Sequence, residues 1–102
     1  MSDGGGIGGV GSRRAVRLRL TGRVQGVGFR WFARRAAREL GVAGRVRNLP
    51  DGSVEAVAVG DPAGLAQFHE RLREGPPGSR VLAVEEQEIA VVPDWEGFEI
   101  DH

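Results

Sequence analysis

The chain is expected to fold as an α+β, two-layer sandwich. Two helices lie on one face of an antiparallel sheet, and a short extra strand follows at the C-terminal end. Three observations lead there. Stretches that alternate apolar and polar residues are interleaved with two stretches of 3.6-residue periodicity, in the order strand, helix, strand, strand, helix, strand. Turn or cap chemistry punctuates most of the boundaries. The 102 residues are 40% apolar, enough for one two-layer core but not for two.

Residues 1–12 are rich in glycine and poor in apolar side chains. They bury too little to offset the entropy of ordering, so a flexible tail is expected there, with residues 13–102 forming the folded domain. Arg14 to Leu20 alternates, with Val16, Leu18 and Leu20 on one face and Arg17 and Arg19 on the other. Phe29, Phe32, Ala33, Ala36, Ala37 and Leu40 then recur at helical spacing, and Gly41 is placed to end the helix in a left-handed conformation. Trp31 falls off that stripe and is expected to pack across a rim of the helix, as core rather than as ligand.

Gly44 to Leu49 reads as a second strand, with Val46 opposing Arg45 and Arg47. Pro50-Asp51-Gly52 is a turn, because proline presets φ and glycine accepts a positive one. Ser53 to Val59, apolar on both faces, suits an interior strand. Asp61-Pro62 caps and opens a second helix whose stripe is Leu65, Phe68 and Leu72, and Gly75-Pro76-Pro77-Gly78 stops it. Arg80 to about Glu88 is a strand with a bulge expected near Ala83. An extended return, a turn at Pro93-Asp94 and a short strand holding Phe98 and Ile100 complete the chain. This order is the split βαβ, or ferredoxin-like, arrangement βαββαβ. Such a fold by itself assigns no function.

The chemistry concentrates in Gly22-Arg23-Val24-Gln25-Gly26-Val27-Gly28-Phe29-Arg30, where the first strand hands over to the first helix. Gly26 and Gly28 let the backbone turn tightly and approach a ligand. The helix start adds unpaired N–H donors and the positive end of its dipole, which together suit a phosphate. Arg30, in the first turn, opposes that dipole unless an anion lies between them. The spacing fits neither a nucleotide P-loop nor a dinucleotide fingerprint. Glycine-rich turns of this kind also serve as plain connectors, and on the motif alone both readings stand.

In the expected topology the first and second strands run the same way and end at one edge of the sheet. Asn48 therefore arrives beside the loop, two strand steps or roughly 10 Å of backbone away. Its amide can hold a water or donate to a phosphoryl oxygen; it can equally bond its own backbone before Pro50.

Composition narrows the classes. Basic and acidic residues balance at 14 each, so no global field draws in nucleic acid or membrane. All the basic residues are arginines. Cysteine is absent, which removes disulfides and thiolate chemistry, and the two histidines, His69 and His102, are too scattered for a histidine metal site. No apolar run approaches the ~20 residues of a membrane span. The N-terminus lacks signal-peptide features, so the cytoplasm is the expected location. A monomer is the simplest expectation for a small domain of balanced charge.

These features together resemble the acylphosphatase family from about Val16 to Ile100. Gly22 to Arg30 is similar to the family's phosphate-binding signature. Gly44-Arg45-Val46-Arg47-Asn48 with Asp51-Gly52-Ser53-Val54 is similar to its second signature, at a matching separation, and Gly75-Pro76-Pro77 and Phe98-Glu99-Ile100 also fit. The resemblance implies a hydrolase that converts an acyl phosphate to a carboxylate and inorganic phosphate without metal or cofactor. By it, Arg30 binds the phosphoryl group and Asn48 orients the attacking water. Gln25, Gly26, Val27, Gly28 and Phe29 complete the phosphate-binding loop. One departure is Arg45, where the family usually carries an aromatic residue. The alternatives are a non-catalytic ferredoxin-like module for RNA or a protein partner, and the acylphosphatase-like domain that opens large carbamoyl-transfer proteins of hydrogenase maturation. Against RNA, Phe98 is the lone aromatic on the strands.

Overall fold

The computed structural model describes residues 13–102; the expected tail, residues 1–12, lies outside the described residues. Seven elements follow in order: β1 (Arg14–Arg23), α1 (Phe29–Leu40), β2 (Ala43–Asn48), β3 (Val54–Gly60), α2 (Pro62–Glu74), β4 (Arg80–Ile89) and β5 (Phe98–Ile100). The strands form one sheet in the order β4-β1-β3-β2-β5. This is the expected βαββαβ arrangement with β3 in the interior. Asp61 caps α2 by accepting from the Gly64 N–H at 2.7 Å, and α1 ends at left-handed Gly41.

Both helices cover one face. Val16, Leu18 and Leu20 of β1, Val46 of β2 and Val54, Ala56 and Ala58 of β3 meet Phe29, Ala33, Ala36 and Ala37 of α1 and Leu65, Phe68 and Leu72 of α2. The alternation read from the sequence thus points its apolar residues at the helices. On the other face the strand arginines pair with carboxylates: Arg17 and Arg47 both reach Glu55, at 3.5 and 2.9 Å, and Arg19 reaches Asp51 and Glu85. The arginines of these pairs stand largely in solvent, so the pairs add little to stability.

Two features of the C-terminal part differ from or refine the expectation. The register of β1 against β4 shifts where Thr21 pairs with Ala83 but Gly22 with Val81, leaving Leu82 as the extra residue beside the expected bulge. And the sheet is mixed, because β5 runs parallel to β2, from Gly44 opposite Phe98 to Val46 opposite Ile100. The cause is the route of residues 90–97. They cross the open face, where Trp95 packs on Ala15, Ala43 and Val59 and Arg13 Nη2 donates to the Trp95 carbonyl at 2.8 Å. That crossing delivers β5 to the far edge already pointing along β2.

Phe98 fixes β5 there. It is buried and meets Phe68 edge-on, with ring centroids 5.6 Å apart. Truncating a buried phenylalanine of this kind removes ~3–5 kcal/mol. Phe98→Ala is therefore expected to lower the unfolding free energy by that much, seen as a lower urea midpoint with little change in m-value; a loss below ~1 kcal/mol would mean that β5 contributes little to the core.

Candidate functional site

The interior strand sets the geometry. Val54 of β3 pairs with Leu20 of β1 on one side and with Asn48 of β2 on the other. One row across the sheet therefore brings the end of β2 level with the last part of β1, close to where the loop departs. The consequence is a cavity of about 240 Å³ walled by Val24, Gly26, Gly28, Phe29, Arg30, Trp31 and Asn48. Arg30 and Asn48, expected from the sequence to face each other, share this space with both loop glycines.

The loop reaches its shape through backbone conformation. Gly26 and Gly28 have φ of 76° and 77°, the left-handed region that glycine enters without strain. Gly28 is the N-cap of α1 and brings no capping side chain; its carbonyl accepts from the Phe32 N–H at 3.0 Å. Among the described residues, no oxygen accepts from the N–H groups of Gly26 to Arg30. Phe29 is buried against Phe32 and near the turn at Gly75, so the helix start is anchored from beneath while the next residue, Arg30, stands at the cavity. The first turn of α1 contains no acidic residue to offset that cation. What holds it comes from the segment after β5: Arg30 Nη1 lies 3.4 Å from the Asp101 carbonyl oxygen and 3.4 Å from His102 Nδ1.

Two residues of the expected loop stand apart from the cavity wall. Val27 packs half-buried against the main core. Gln25 turns the other way, and its Nε2 donates to the Leu49 and Ser53 carbonyls, both at 2.8 Å. Those carbonyls belong to the β2–β3 turn, so Gln25 ties the loop to the element that carries Asn48. The Asn48 side chain is half-buried, at the cavity rather than folded onto its own turn; that turn is closed without it, by Gly52 N–H to the Leu49 carbonyl at 3.1 Å and Leu49 N–H to the Ser53 carbonyl at 2.8 Å.

Trp31 corrects the sequence reading. It is 63% exposed, not core, and forms part of the cavity mouth. The signal was in the periodicity, since position 31 falls with Arg34, Arg35 and Arg38, opposite the apolar stripe. The contribution of Asp101 and His102 had no such signal, because it depends on where β5 lies. Arg45 also finds a place: it stacks 5.2 Å from the Trp95 ring centroid and bonds the Asp101 carboxylate at 3.2 Å, on the segment that reaches Arg30. Among the described residues, no group of three or more His, Cys, Asp or Glu side chains is placed to hold a metal, and no helix is long and apolar enough to cross a membrane.

The chain matches the family model described as Acylphosphatase over residues 16–100. An acylphosphatase of Archaeoglobus fulgidus is 46% identical over 86 residues, which span 84% of this chain and 96% of the relative. The crystal structure of acylphosphatase from Bacillus subtilis superposes with a TM-score of 0.85 at 36% identity, covering 87% of this chain and 99% of that one. The structure of HypF from T. kodakarensis contains a similar region, with a TM-score of 0.78 at 33% identity, covering 87% of this chain but 12% of that protein.

The turn beneath the site has an electrostatic signature of its own. Asp51 accepts from the Ser53 hydroxyl and from the Ser53 N–H, and it pairs with Arg19. The Ser53 bonds first, and then the guanidinium, hold its carboxyl well below the usual carboxylate range. A carboxyl with a depressed value in the folded state stabilises fully above the unfolded value of about 3.9 and loses that contribution as pH falls below it. The melting-temperature gap between wild type and Asp51→Ala is therefore expected to be largest above pH ~5 and to shrink on acidification toward pH ~2.5. A gap that is constant over that range would show that the carboxylate charge is not what steadies the turn.

Proposed function

The chain belongs to the acylphosphatase family, and we propose that it hydrolyses acyl phosphates to a carboxylate and inorganic phosphate using the cavity between Arg30 and Asn48. The observation that carries this reading is their position on the walls of one small cavity together with Gly26 and Gly28. In it, the phosphoryl group lies in the loop, its oxygens facing backbone N–H groups and the Arg30 guanidinium. The like-charge conflict between Arg30 and the helix dipole then becomes a joint attraction for a dianion.

Few other groups are needed. The leaving carboxylate is weakly basic, with a conjugate acid near ~4, so it departs without a strong general acid. Transfer of a phosphoryl group is mainly positioning plus charge stabilisation at its oxygens. Asn48 holds a water through its side-chain carbonyl, in line with the bond to be broken. The water oxygen attacks phosphorus, the bond from phosphorus to the carboxylate oxygen breaks with its electron pair leaving on that oxygen, and the water's proton passes to a phosphoryl oxygen. Gln25 is the positioning residue in this scheme, keeping the phosphate side and the water side in register through the β2–β3 turn.

Benzoyl phosphate hydrolysis tests the assignment. Arg30→Ala is expected to lower turnover at least ~10²-fold, as loss of one charge-stabilising donor does elsewhere. Asn48→Ala should lower kcat while inhibition by inorganic phosphate stays close to wild type. Wild-type turnover in the arginine variant would remove the proposed role. A chelator is expected to leave the rate unchanged, and inhibition by one would reveal a required metal.

A further inference from the structure

Nothing described so far reads the acyl half of the substrate. An acyl phosphate gripped by its phosphoryl end must send its carbon chain somewhere, and the surroundings of the cavity offer one continuous direction. A second cavity, about 460 Å³, is lined by Gly28, Trp31, Phe32, Arg35, Pro76 and Pro77. It shares Gly28 and Trp31 with the phosphate cavity. Position 28 leaves the junction between them open: a side chain there would meet no protein atom within 4 Å.

The two cavities differ in chemistry. The first presents a loop backbone, a guanidinium and an amide beside Val24, Phe29 and the Trp31 indole; the second presents that indole with a phenyl ring and two proline rings, and Arg35 as its one charged group. Trp31 stands between them, and its exposure is unusual for so large an apolar side chain. Its ring is steadied by Arg34, whose guanidinium carbon lies 5.4 Å from the ring centroid. A tryptophan held in this way offers broad contact area at low entropic cost.

We infer that Trp31, with Phe32, Pro76 and Pro77, forms the acyl-binding subsite, and that it selects acyl phosphates with an aryl or extended alkyl group over acetyl phosphate. This rests on the phosphate reading of the adjoining cavity. The acyl chain leaves the phosphoryl group over Gly28 and lies against the indole face. Acetyl phosphate is too short to reach that face and gains nothing from it.

The test is the ratio of kcat/KM for benzoyl phosphate to that for acetyl phosphate. Trp31→Ala is expected to lower the ratio ~10-fold, and Trp31→Phe to restore most of it, as loss and partial return of one aromatic contact would. The inhibition constant of inorganic phosphate, which does not occupy the second cavity, is expected to stay within ~2-fold. An active wild type whose ratio is unchanged in Trp31→Ala would overturn this subsite and leave the phosphate reading standing. A weakened phosphate inhibition in that variant would also overturn it, by showing that Trp31 acts through the cradle. A wild type that hydrolyses neither acyl phosphate would overturn the phosphate reading and the subsite with it.

Discussion

A guanidinium at the positive end of a helix is the constraint around which this small fold is arranged. Without a counter-charge the placement is unfavourable by ~0.3–1 kcal/mol, and no acidic residue of the first turn relieves it. The relief inside the protein is partial. One carbonyl oxygen and one imidazole nitrogen touch a single Nη at hydrogen-bond distance, which leaves most of the guanidinium's five donors for something else. To bring even those two partners to Arg30, β5 must lie beside β2. To lie there, residues 90–97 must cross the open face, and Trp95 must bury itself on Ala15, Ala43 and Val59. The parallel edge of the sheet, an oddity in terms of topology, is thus part of what holds Arg30.

The same dependence explains Arg45. At the position read from the sequence as a departure from the family pattern, a guanidinium stacks on Trp95 and pairs with Asp101. A planar, weakly hydrated group can replace a ring in such a stack while adding a hydrogen bond. Arg45 therefore ties β2 to the crossing segment at Trp95 and to Asp101, whose carbonyl meets Arg30.

Much of this was legible in the residues. Alternation in β1 and β2 and the stripe of α1 depend on burial against one neighbouring layer, which periodicity records directly. The glycine spacing of the loop records a backbone requirement, and it led to Arg30 without any knowledge of tertiary contacts. Asn48 was reachable because the strand order follows from the element order. What escaped reading depends on contacts between residues distant in the chain. The direction of β5 follows from how Trp95 packs, and the grip of Asp101 and His102 on Arg30 follows from that direction. Gln25 sits inside the glycine motif, yet its partners, the Leu49 and Ser53 carbonyls, are main-chain atoms that carry no sequence signal. Trp31 is a different case. Its position on the polar side of α1 was visible, yet the expectation was core packing across a rim of the helix, and it stands exposed.

The Gln25 amide has a further consequence. Its two bonds join the glycine loop to the hairpin that bears Asn48, and so tie together the two sides of the cavity. The disorder that must be given up to assemble them is lost when the chain folds, so under the proposed function a small anion meets a recess built beforehand, which lowers the cost of binding it. Under the proposed function, a change that loosens the hairpin would therefore lower activity and thermal integrity together.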